Sequence, residues 1–181
     1  MAKFRQNEND QQRFYQQRRG ELEGQHRMAQ YRYYQQYYDQ EREQQVNFQN
    51  YDYNNDPYFY TASDYRYYRG GQYYETNQYG ANMLREGVNY GYQQGFLAGQ
   101  ADRQDGWRPD FQDSFAYQDA NYGYGGYYVS QNDYNYYFRQ GFQRGYSDGY
   151  YGRSRYGRRV NGNYSILGAI LGTILNMQSL Q

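Results

Sequence analysis

The chain has no cysteine. That excludes a disulfide framework, a thiolate metal site and a thiol nucleophile. It has one histidine, His26, set in a polar stretch. Catalysis or metal binding needs partners at fixed geometry, and none is evident, so a solvated imidazole is expected. Lys3 is the only lysine among 19 basic residues; the rest are arginine. Acidic residues also number 19, so the formal net charge is +0. No overall basic footprint exists, and no charge repulsion holds the chain open. Leu, Ile, Val and Phe together make up about 13% of the residues, below the roughly 20% under which disorder is expected.

Long apolar runs are also missing. The longest, Ile166 to Leu175, is about ten residues, against the roughly 20 that span a bilayer. No transmembrane segment is expected. The start, Met1-Ala2-Lys3-Phe4-Arg5-Gln6, carries no apolar run of a secretory signal. The default expectation is a cytoplasmic location, or an extracellular one if the chain is processed or exported by another route. No glycine run carries the Lys-Ser/Thr of a phosphate loop. Asp102-x-x-Asp105-Gly106 is too sparse for a calcium loop. Asn163-Tyr164-Ser165 is a glycosylation triplet only in form. The reading is of a protein that is not an enzyme, with no cofactor and no metal.

What is present is tyrosine, 31 residues of it, with 21 glycines and many glutamines. Each tyrosine ring buries a large apolar area, but its hydroxyl wants a partner. Arginine stacks on such rings and forks onto carboxylates. Many weak contacts of this kind favour self-association.

Along the chain, residues 1–47 form a Gln/Arg/Glu-rich polar segment. From about Gln25 to Gln45 it reads as a polar helix with Met28, Tyr31, Tyr34 and Tyr38 along one face, or as disorder. Residues 48–76 read as an irregular Tyr-rich connector, with turns at Asn54-Asn55-Asp56-Pro57 and Gly70-Gly71. The N-terminal half thus resembles low-complexity, prion-like sequence.

Residues 77–106 and 135–152 hold two copies of a repeat. NYGYQQGFLAGQADRQDG at 89–106 aligns with NYYFRQGFQRGYSDGYYG at 135–152. The shared positions include Tyr90 and Tyr136, Phe96 and Phe142, Asp102 and Asp148. Gly87, Gly91, Gly95 and Gly99 lie four apart, as do Gly141, Gly145 and Gly149, and such positions share one helix face. Each interior glycine costs about 1 kcal/mol against alanine. Only a neighbour packed on the flat strip offsets that, as small-residue faces allow. Leu84, Val88, Phe96 and Phe142 would flank the strip, and Ser130 to Asp133 resembles a capping box. Two copies are too few for a free-standing repeat array, so partner chains would supply the remainder. Asp102 and Asp148 read as ion-pair partners of a nearby arginine such as Arg103 or Arg144, or as acceptors from loop amides.

Residues 107–134 connect the repeats, and 153–163 form an Arg-rich linker. Its Arg153, Arg155, Arg158 and Arg159, interleaved with tyrosine, are candidate nucleic-acid contacts. Residues 164–181 read as an apolar C-terminal helix capped by Asn163 or Ser165. Ile166, Leu167, Ile170, Leu171, Ile174 and Leu175 would dock it, with Gly168 and Gly172 seated on the repeat faces.

The tandem pattern aromatic-x-x-Gly-Phe-x-x-Gly-x-x-Asp, followed by Tyr146-x-Asp148-Gly149-Tyr150, resembles uncharacterised bacterial proteins with repeated G-x-x-x-G segments. The likeness covers about residues 84–157 and implies the repeat, with no activity attached. The fold expected is mainly α: glycine-faced helices, a C-terminal apolar helix and an irregular N-terminal half. The alternative is a largely irregular chain ordered only in an assembly. The function expected is a self-assembling filament, coat or matrix subunit whose partner is itself. Nucleic acid is the second candidate partner. A membrane-peripheral or cargo-docking role for the C-terminal helix is the third.

Overall fold

The computed structural model describes residues 2–180. Met1 and Gln181, the outer ends of the first and last expected segments, lie outside the described residues. The fold is mainly α. Helices α1 (Ala2–Gly24) and α2 (Met28–Gln49) form a hairpin. The turn between them places His26 in the left-handed region, at φ 56°.

The N-terminal half is therefore ordered, which corrects the irregular low-complexity expectation. Its polar composition hides a tyrosine seam. Tyr15 stacks on Tyr38 at 3.9 Å, and Tyr34 and Leu22 are buried beside them. The buried face of α2 is Tyr33, Tyr34, Tyr37 and Tyr38 rather than one including Met28, which is 43% exposed. The helix has neighbours on two sides, so its buried arc is wide. Tyr34 and Tyr38 meet α1, whereas Ala29, Tyr33 and Tyr37 join the main core.

The connector after α2 is also structured. Two short 3-10 turns, Tyr53–Asn55 and Pro57–Tyr60, lead to strands β1 (Tyr65–Arg69) and β2 (Gln72–Thr76). Gly70 and Gly71 join them with φ of 60° and 84°. Two successive positive values suit the tight turn that follows strand twist.

Helix α3 (Gln78–Gln104) starts at Asn77, whose side chain accepts from the amides of Tyr79 and Gly80. A 3-10 turn (Phe111–Asp113) and the short α4 (Phe115–Asp119) carry the chain back. Helix α5 (Gln131–Tyr151) is capped by Ser130, which accepts from the Asp133 amide. Gly152, at φ 62°, ends it. Only half of a capping box forms, because the Asp133 carboxylate pairs with Arg69 at 3.0 Å and accepts from the Tyr67 hydroxyl at 2.5 Å.

The expected Arg-rich linker contains a strand. β3 (Gly157–Val160) pairs antiparallel with β4 (Asn163–Ile166) across Asn161-Gly162. Both turn residues have positive φ, 50° and 83°. The expected C-terminal helix begins later, as α6 (Gly168–Leu175), with Leu167 rather than Asn163 or Ser165 at its N-cap. Ile166 is thus a strand residue. The two-residue β5 (Gln178–Ser179) adds to β1, giving the order β2-β1-β5.

Two apolar clusters sandwich the α3–α5 pair. One holds Tyr33, Tyr37, Phe138, Phe142, Tyr146 and Tyr150. The other holds Leu84, Val88, Tyr92, Tyr137, Ile166 and Leu175, with Leu171 and Ile174 half-buried against it.

Candidate functional site

The molecule is organised by the contact between α3 and α5. A methyl built on Gly91 would overlap the carbonyl oxygen of Phe138; on Gly95, that of Phe142; on Gly99, that of Tyr146. In return, Gly141, Gly145 and Gly149 meet the carbonyls of Val88, Tyr92 and Phe96. The order rises along both helices, so they run parallel. Each carbonyl belongs to the residue three positions before the opposing glycine. The pairs are therefore Gly91 with Gly141, Gly95 with Gly145, and Gly99 with Gly149. This register is one turn out of step with the sequence alignment, which matches Gly95 to Gly141 and Gly99 to Gly145. At this approach the glycine Cα–H groups point at carbonyl oxygens, a weak contact worth about 0.5–1 kcal/mol each.

Gly87 differs from the other six. Its neighbour is the ring of Tyr134, 2.8 Å from the Cβ position, rather than backbone. Gly168 and Gly172 meet nothing within 4 Å, so they do not seat on the repeat faces. Instead α6 lies on the Leu84–Val88 cluster of its own chain through Leu175, Ile174, Ile170 and Leu171.

Matched repeat positions have diverged in role. Leu84, Val88 and Phe142 are fully buried, whereas Phe96 stacks on Tyr164 at 3.7 Å. Tyr90 is half-buried, edge-on to Tyr122, while Tyr136 is 41% exposed under Arg69.

The two repeat aspartates are cross-linked to the opposite helix. Tyr92 of α3 donates its hydroxyl to Asp148 of α5 at 2.8 Å. Tyr146 of α5 donates to Asp102 of α3 at 2.5 Å. Asp102 is also paired with Arg27, at 2.8 Å, from the N-terminal hairpin. Arg27 in turn reaches Asp113 at 3.1 Å and lies 4.3 Å from the Trp107 ring centroid. The expected neighbours are engaged elsewhere: Arg103 lies over Tyr150, and Arg144 over Tyr156. Asp148 accepts the loop amides of Arg155 (3.2 Å) and Tyr156 (2.8 Å), with Arg153 at 3.8 Å. Asp105 accepts the Ala29 and Gln30 amides at 2.8 and 2.9 Å, placing a negative charge at the start of α2.

Tyrosine-to-aspartate pairing extends through the core: Tyr37 to Asp119 at 2.9 Å, Tyr67 to Asp133, and Tyr128 to Asp56. Burial, and then the carboxylate beside each hydroxyl, push Tyr92 and Tyr146 well above the usual phenol range. Burial raises Asp102, opposed by the hydrogen bonds of Tyr146 and Arg27. Asp102 and Asp148, the matched repeat aspartates, are 1% and 0% exposed, and each accepts from several donors. Their chemistry here is to satisfy phenols and hold helices together. Among the described residues no group of three or more His, Asp or Glu is placed to hold a metal ion. No described helix is long and apolar enough to cross a membrane.

The four linker arginines are all exposed: Arg153 and Arg155 on the turn before the β3–β4 hairpin, Arg158 and Arg159 in β3, where successive side chains alternate between the two faces. Beside them lies an open groove of about 470 Å³, lined by Phe111, Gln140, Arg144, Tyr151 and Tyr156 among others. A separate surface carries aromatic rings: Phe59 is 55% exposed, Tyr60 80% and Tyr127 41%. Phe59 and Tyr127 sit edge-to-face at 6.4 Å.

Comparison of the chain with protein-family models, curated proteins and solved structures finds no match. Sequence reasoning missed Arg27 and the tyrosine donors. Arg27 carried no local signal, since its partner is 75 residues away. The hairpin had one: Asn161-Gly162 is the two-residue turn that favours antiparallel strands.

Proposed function

We propose that the protein is a self-assembling structural subunit, a filament, coat or matrix building block, that folds within one chain and then associates with copies of itself. The observation that carries this reading is the aromatic patch of Phe59, Tyr60 and Tyr127. The segments that carry these rings are tied together: Tyr58 donates to the Tyr128 carbonyl, Tyr128 donates to Asp56, and Tyr58 packs edge-on against Phe59 at 5.5 Å. An ordered exposed aromatic cluster is the composition of a contact surface.

Two features support the same reading. Among the described residues strand β2 has β1 on one side and no strand on the other, leaving an edge that a second chain can extend. The net charge of +0 puts no long-range repulsion between copies. The glycine strips are closed inside the chain, so the association surface differs from the one the repeats suggested.

Sedimentation velocity across a range of concentrations tests the reading. The mass should rise with concentration. The variant F59S/Y60S/Y127S should stay monomeric with unchanged helicity. A wild-type chain that remains a monomer throughout overturns the proposal.

A further inference from the structure

We infer that the arginine–tyrosine face around β3 is a binding site for single-stranded nucleic acid. Arginine and tyrosine alternate here in space as well as in sequence. Arg153 lies 5.0 Å from the Tyr151 ring, Arg155 5.2 Å from Tyr156, and Arg159 5.8 Å from Tyr164. Arg144 approaches Tyr156 from the groove side, at 5.9 Å.

The charge is available. Among the described residues no carboxylate lies within ion-pair distance of Arg144, Arg155, Arg158 or Arg159. Arg153 shares only a 3.8 Å contact with buried Asp148. No acidic side chain lines the adjoining groove. A neutral protein has thus set Arg144, Arg153 and Arg155 around the two rings of one groove, with Arg158 and Arg159 on the adjoining strand, and among the described residues only Arg153 has a carboxylate beside it. A phosphodiester backbone complements that arrangement.

The rings decide between a nucleic acid and a bare polyanion. Tyr151 is 55% exposed and lines the groove, with its neighbour Tyr156. A base can stack on such a ring only when it is unpaired, which selects a single strand over a duplex. Gln140 and Gln143 on the groove wall offer donors and acceptors to base edges.

The test is fluorescence anisotropy with a labelled twelve-nucleotide oligothymidylate and, beside it, an abasic strand of the same length. Binding of the oligothymidylate is expected at low salt. With four phosphate contacts it should weaken roughly 50-fold between 50 and 200 mM salt. The variant R153A/R155A/R158A/R159A should bind at least about tenfold more weakly. R158A/R159A, confined to the exposed hairpin, should lose about half the salt slope and guards against a folding defect in the quadruple change. The abasic strand and Y151L should each bind about fivefold or more weakly, because stacking is lost. Equal binding of the abasic strand would reduce the site to a polyanion contact and overturn the proposal. So would no binding at low salt, or unchanged binding by the two arginine variants.

Discussion

The Tyr92 hydroxyl of the first repeat helix rests on the Asp148 carboxylate of the second, at 2.8 Å, with both groups buried. Tyr146 returns the contact to Asp102. A core so poor in aliphatic residues is filled with phenols, and each buried hydroxyl needs an acceptor. Aspartates supply it for Tyr37, Tyr67, Tyr92 and Tyr146, and backbone carbonyls for Tyr134, Tyr137 and Tyr150.

Removing one hydroxyl therefore tests the arrangement. Tyr92→Phe and Tyr146→Phe each keep the ring and lose a hydrogen bond to a charged group, worth about 1.5–3 kcal/mol. Urea unfolding should show a loss of that size. Tyr136→Phe, on the exposed ring at the surface, should fall within about 0.5 kcal/mol of wild type.

Glycine substitutions should divide by what lies opposite them. Gly95→Ala gains about 1 kcal/mol of helix propensity. It also drives a methyl into the Phe142 carbonyl, which no rotamer change relieves. The helices must separate, and a net loss of about 2 kcal/mol or more is expected. Gly145→Ala should match it, against the Tyr92 carbonyl. Gly20→Ala and Gly172→Ala face open space inside helices and should stabilise by up to about 1 kcal/mol. Thermal and urea unfolding of the four variants give the signs.

Much of this was legible in the sequence. The four-residue glycine spacing located the faces, and its energetic cost called for a close neighbour. The neighbour's identity was not legible, because repeats in sequence register need not pack in that register; here they slip by one turn. The N-terminal order was hidden because Tyr33, Tyr34, Tyr37 and Tyr38 fall outside the Leu, Ile, Val and Phe that signal a core, yet pack as one. Asp102 drew attention as a repeat position, but its partner Arg27 lies in a separate hairpin, and only the tertiary fold brings them together.

Glu41 makes stability depend on pH. It is 9% exposed and hydrogen-bonded to Asp119, which also accepts from Tyr37. Burial, then the Asp119 hydrogen bond and charge, raise Glu41 from 4.5 to about 10. The folded chain thus keeps a proton that the unfolded chain releases. Its contribution is complete below about pH 4.5 and declines as pH rises through that window toward about 10. The slope is at most about 1.4 kcal/mol per pH unit. Glu41→Gln should flatten the dependence between pH 5 and 9 and should be more stable than wild type at the upper end. Urea midpoints measured across that range check it.

The central claim is that the repeat helices complete each other within one chain, so that folding precedes association. The unfolding midpoint, Tm, followed by circular dichroism over about a hundredfold dilution, tests it most directly. With Gly91, Gly95 and Gly99 closed against Gly141, Gly145 and Gly149 of the same molecule, the Tm of the F59S/Y60S/Y127S variant should not change with concentration. A Tm that falls on dilution, with helicity lost alongside it, would place the glycine contact between chains and contradict the account.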